Sequence, residues 1–155
     1  MMEDNNNINA LNPEVAHLID QLIVNKELNE NALKKIGDKV AREKIERLYD
    51  KKKIFIKELG NLMKIDVQHY IHEKRKSIDI KLEKVSNQFQ HLFFSGSDVQ
   101  LISFLISTEK KLQTLYHTLI YHCRFDDFIL MVFKNQLNES RRDMVELSKL
   151  QEEYI

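Results

Sequence analysis

Residues 33–41 read Leu33-Lys34-Lys35-Ile36-Gly37-Asp38-Lys39-Val40-Ala41. A helical stripe of apolar residues runs up to Ile36, and another begins a few positions later. Between them stand only a glycine, which stops helices, and an aspartate, which caps the next one. So short a connection makes the two flanking helices antiparallel neighbours.

Outward from that corner, the first helix (about 13–36) begins at Asn12-Pro13-Glu14, with an N-cap, a proline at the first helical position and an acid in the first turn. Val15, Leu18, Ile19, Leu22, Ile23, Leu33 and Ile36 share one side. The second helix (about 39–64) carries Ile45, Leu48, Phe55, Ile56, Leu59, Leu62 and Met63 as its stripe. Residues 65–97 form a long connection. Its first part, KIDVQHYIHEKRKSID, shows no clear period. Ile78, Leu82, Val85, Phe89, Leu92 and Phe93 then predict a crossover helix over about 76–93. Ser95-Gly96-Ser97-Asp98 is the clearest turn signal. A helix over about 98–122 follows, then a short turn, then a helix over about 126–152 with Ile129, Phe133, Leu137, Met144 and Leu147 in line. Two antiparallel pairs joined by a long crossover form an all-α, ferritin-like four-helix bundle, in which the second and third bundle helices are parallel. The alternative is a five-helix array with 76–93 as an equal partner. Residues 1–11 are polar and expected to be loose, ahead of one domain over 12–155.

Composition agrees with this class. Of 155 residues only three are Gly and one is Pro, with 31% charged and 43% hydrophobic. Lys+Arg and Asp+Glu are both 24, so the basic excess of a non-specific nucleic-acid binder is missing. No apolar run approaches the ~20 residues of a membrane span. The acidic, Asn-rich start MMEDNNNINA does not read as a signal peptide, and a lone Cys123 fits a reducing cytoplasm.

Glu14-Val15-Ala16-His17 has the Glu-x-x-His spacing of di-iron bundles. At ~100° per residue, however, His17 points roughly 170° from the apolar stripe, and both residues sit in the first turn. The matching place on the last helix is Glu139-Ser140-Arg141-Arg142, with Arg142 where histidine should be. His69 and His72 lack a clear third ligand, and His117, His122 and Cys123 diverge in direction. No catalytic carboxylate pair, Ser/His/Asp set, phosphate loop or Cys-x-x-Cys occurs, so neither an enzyme, a metal nor a cofactor is expected.

The same geometry turns other polar residues inward. Glu109 lies among Leu105, Leu112, Tyr116 and Cys123, and Lys52 lies in line with Ile45, Leu48, Phe55 and Leu59. Lys26 falls on the first stripe with Glu30 near it, and Ser140 faces inward with Gln136 at its border. Lys52 is about fourteen residues into its helix and Glu109 about eleven, a height difference of only about 5 Å if the helices are parallel. Ser140 falls opposite Glu109. A middle layer of Glu109, Lys52, Tyr116 and Ser140, with Lys26 or Glu30 nearby, is therefore expected. Lys52 is the first choice of partner for Glu109 and the Tyr116 hydroxyl the second. This layer reads as a buried salt bridge that fixes helix register. Its rivals are a ligand site with Glu30 and Glu109 as carboxylates, and a layer left open by side chains reaching solvent.

At this point the chain resembles an uncharacterised bacterial ferritin-like family of four-helix-bundle proteins, related in fold to rubrerythrin and ferritin. The match spans roughly 15–150. Leu22-Ile23 is followed by Leu28-Asn29-Glu30-Asn31-Ala32-Leu33, which keeps the spacing of the family's Asp-Gly-x-x-Gly-Phe block but not its residues. Lys52-x-x-Phe55-x-x-x-Leu59 is similar to an Arg-x-x-Phe-x-x-x-Leu element, Gly96-Ser97-Asp98 to a Gly-Gly-Asp-like turn, and Glu109 with Tyr116 to a Glu and Tyr seven apart. The resemblance implies a ferritin-like fold without the full ferritin ligand set, and groups Lys52, Glu109 and Tyr116 as a unit. The expected function is non-enzymatic, structural or partner-binding, with a stress role by fold analogy alone. A homodimer through an apolar strip at Phe93-Phe94 is a further expectation.

Overall fold

The computed structural model describes residues 11–92 and 97–153, and among them every regular element is helical. The five helices are α1 (Pro13–Lys35), α2 (Lys39–Met63), α3 (Val67–Leu92), α4 (Asp98–His122) and α5 (Asp127–Glu153). No helix among the described residues is long and apolar enough to cross a membrane. The 1–10 segment, the Phe93-Phe94 strip and Ser95-Gly96 lie outside the described residues, as do the side chains of Phe89 and Leu92. Leu11 packs half-buried against the core.

Local chemistry sets the boundaries. Asn12 Oδ1 accepts the Glu14 and Val15 N–H groups at 2.8 and 3.4 Å, satisfying donors that the first turn leaves free. The α1–α2 corner stops differently from the glycine reading. Ile36 is extended, and Gly37 does not adopt a left-handed φ. Instead the Gly37 and Asp38 N–H groups donate to the two Asp98 carboxylate oxygens at 3.1 and 3.0 Å. One acid therefore ties the first corner to the start of α4. At the other end of α2, Lys64 takes the left-handed conformation (φ 58°), and the Ile65 N–H reaches back to the Gly60 carbonyl at 3.0 Å.

Residue pairings give the directions. Gly37 meets Asp98 and Asn25 meets Thr108, so α1 and α4 are antiparallel. Lys44 meets Glu146 and Lys51 meets Asp143, so α2 and α5 are antiparallel. With α1 against α2 and α4 against α5, the four helices form a square in which α2 and α4 occupy one diagonal and run parallel. Their inward stripes build one core, including Leu18, Leu22, Ile45, Phe55, Leu112 and Phe133, each nearly or fully buried. Each such aliphatic or aromatic side chain contributes about 1.5–3 kcal/mol on burial.

The crossover differs from expectation in length. Its helix starts at Val67, not near 76. Asp66 caps it, with Oδ1 accepting the His69 N–H at 3.1 Å. The early half was hard to read because it buries little beyond Tyr70, while Arg75 and Lys81 face α1 through ion pairs with Glu27 and Asp20. α3 lies outside the square, chiefly against α1, and is not an equal partner of the other four.

Candidate functional site

The midpoint of the square is polar. Lys52 Nζ on α2 meets Glu109 Oε1 on α4 at 2.5 Å, and both side chains are essentially buried, at 0% and 1% exposure. The Ser140 hydroxyl on α5 donates to Glu109 Oε2 at 2.7 Å, and Gln113 Nε2 reaches Ser140 Oγ at 3.3 Å. The ammonium approaches the carboxylate closely but off the hydrogen-bonding directions, so the contact is an ion pair and not an aligned bond. Since α2 and α4 sit on a diagonal, the pair crosses the core and is flanked by the other two helices.

Tyr116 stands one level along. Its hydroxyl donates to Gln136 Oε1 at 2.5 Å rather than to Glu109. Gln136 Nε2 in turn reaches the Phe55 carbonyl at 3.3 Å and Glu58 Oε1 at 3.2 Å. Full burial pushes the Tyr116 pKa well above the ordinary tyrosine value, and the charges of Glu109, Glu58 and Glu139 push it the same way. The phenol is therefore a fixed neutral donor.

Two expected members are elsewhere. Glu30 is exposed, and Lys26 is half-buried beside a surface groove. Asn25 and Asn29 take the inward places. The reason is the period. The buried positions of α1 and its C-cap include Val15, Leu18, Leu22, Asn25, Asn29, Ala32 and Ile36, a seven-residue repeat. A straight-helix count of ~100° per residue puts Lys26 about 20° from Val15. A seam with about 3.5 residues per turn puts Asn29 directly in line with Val15 and carries Lys26 about 50° away. Asn25 Nδ2 donates to the Thr108 carbonyl at 3.2 Å, and Gln21 Nε2 donates to Asn25 Oδ1 at 2.9 Å. Asp143, also missed, is buried and takes Lys51 at 2.8 Å. It lies on the seam through Phe133, Gln136, Ser140 and Leu147, a signal that the same repeat would have exposed.

The histidines considered as ligands do not converge. His17, His72 and His122 are exposed, and His117 Nε2 lies 2.8 Å from Arg141 while its ring stacks on Tyr121. Cys123 is half-buried. No group of three or more His, Cys, Asp or Glu among the described residues is placed to hold a metal ion. Comparisons with family models, with curated proteins and with solved structures find no match.

Proposed function

We propose that this chain is a ferritin-like bundle protein, similar to the bacterial family named above, whose role is structural or partner-binding and not enzymatic. The observation that carries this reading is the Lys52–Glu109–Ser140 centre. A lysine ammonium occupies the position beside the inward carboxylate where a bundle enzyme would keep a metal or substrate. The two antiparallel pairs with parallel α2 and α4 support the ferritin-like arrangement. On this reading the outer surface does the work, in the cytoplasm, with a protein partner and in a stress setting. A balanced charge of 24 against 24 argues against nucleic acid and anionic membranes as partners. The rival metal or redox site needs Glu30 and Glu109 together, whereas one is exposed and the other buried.

Elemental analysis of the purified protein tests this. The expected result is no stoichiometric iron, manganese or zinc. Stoichiometric metal that disappears in Glu109→Ala would overturn the proposal. The homodimer remains part of it, and sedimentation showing only monomer at high concentration would remove that part.

A further inference from the structure

Where α2 gives way to α3, the surface carries a groove of about 440 Å³ between α1, α2 and the first turns of α3. That volume is in the range of small-molecule sites. Its apolar lining comes from Ile56, Ile65 and Ile71, with Val67 beside them, and three lysines line it as well: Lys26 from α1 and Lys53 and Lys57 from α2. Ile56 and Ile65 are both buried, so the floor is an extension of the core, not a scatter of surface residues. The groove exists because of the local turn. Gly60 has no Cβ, and one added there would collide with the Val67 methyl Cγ2, so only glycine lets α3 fold back this closely.

The charge is one-sided. Against three ammonium groups stands a single carboxylate, Asp66, one of whose oxygens is committed to capping α3. Lys53 has an i−3 neighbour in Asp50 at 3.5 Å and lies over the Tyr49 ring. Lys26 and Lys57 have no ion-pair partner among the described residues. On the neighbouring face of α3, by contrast, Arg75 pairs with Glu27 and Lys81 with Asp20. An apolar trough under unneutralised ammonium groups fits a ligand with an apolar body and an acidic head. We infer that this groove binds a small amphipathic carboxylate, its chain on Ile56, Ile65 and Ile71 and its head between Lys26 and Lys57. The site is independent of the polar centre, and its fate does not depend on whether the protein binds metal.

Calorimetric titration with octanoate, below its micelle concentration, tests the assignment. Saturable one-to-one binding is expected. The double variant Lys26→Gln/Lys57→Gln should weaken it about tenfold, since two partly screened charge contacts are lost. Octan-1-ol, with the same chain and no charge, should bind equally to both proteins. Lys57→Gln alone, at an exposed position, should give a smaller loss and covers the case in which the double variant fails to fold. Binding that does not saturate, or equal octanoate affinity in the native and variant proteins, would overturn the inference. So would competition by inorganic phosphate as strong as that of a second carboxylate, which would mark a bare anion site. Attachment to phosphatidylserine vesicles without octanoate binding would overturn it in favour of a membrane surface.

Discussion

The molecule uses ion pairs in two places that differ in almost everything except chemistry. In the bundle centre, Lys52 and Glu109 are shut away from water on all sides. Along the outer seam, Asp20 pairs with Lys81 and Glu27 with Arg75, both at 2.9 Å, with the cations more than a third exposed. Each region also has its tyrosine: Tyr116 donates to Gln136 inside, and Tyr70 donates to Asp20 at 2.6 Å in the seam. The difference teaches that the value of such a pair lies in what replaces a lost partner. In the seam, water does. In the centre nothing can, so removal strands a buried charge.

The largest effect should therefore come from breaking the central pair. Glu109→Ala should lower stability by about 3–5 kcal/mol in denaturant titration. Lys52→Met combined with Glu109→Leu should recover most of that loss, because no charge is left unpaired. If Glu109→Gln melts like the native protein, Glu109 is not a buried paired charge and the contrast collapses.

Next in size, Tyr116→Phe should cost about 1–3 kcal/mol by leaving Gln136 Oε1 without its donor. Both tyrosines also carry a pH signature. Burial first, and neighbouring carboxylates second, raise their pKa values above the ordinary 10.0. A raised folded-state pKa means that the folded chain holds the proton more tightly. The stabilisation is thus complete below pH 10 and is lost as pH rises beyond it. The melting temperature followed upward from pH 9 should hold to about pH 10 and then fall, less steeply in the Tyr116→Phe variant.

The seam should respond weakly. Arg75→Gln or Lys81→Gln should cost no more than about 1 kcal/mol each. High salt should weaken even that, since the screening length falls to about 3 Å at 1 M, the length of the contacts themselves. A seam variant as damaging as Glu109→Ala would invert the comparison. Smallest of all, Lys44→Gln should lower the melting temperature only marginally near neutral pH. Its partner Glu146 is held below the usual carboxylate range by Lys44, at a partly exposed position. Stability from that pair is present above the ordinary carboxylate pKa and fades as pH falls, so whatever small difference the variant shows near neutral pH should vanish in acid.

Sequence periodicity reached the central pair because Lys52, Glu109 and Ser140 lie near the middle of their helices. There, counting heights from capped ends is accurate. Asn12, Asp38 and Ser97, which do cap their helices, supplied those ends. It failed on Lys26 and Glu30, eleven and fifteen residues from Val15, where the count begins. The small difference between a straight and a supercoiled helix accumulates over that distance into a different face. It also missed the first half of α3. A helix held on by Arg75 and Lys81 presents charge where an apolar stripe would be sought. Nothing in local sequence could show that Asp98 would reach the Gly37 and Asp38 amides some sixty residues earlier.

The diagonal placement of Lys52 and Glu109 has a kinetic meaning. Antiparallel neighbours such as α1 and α2 can associate through a hairpin, but corners of a square meet only when the two remaining helices have closed around them. The pair should form after the rate-limiting step of folding. Weakening it should then accelerate unfolding while leaving the folding rate nearly untouched, a partition that chevron kinetics of Ser140→Ala would read directly. In this sense the buried pair is a latch on the way out of the native state and does little to speed the way in.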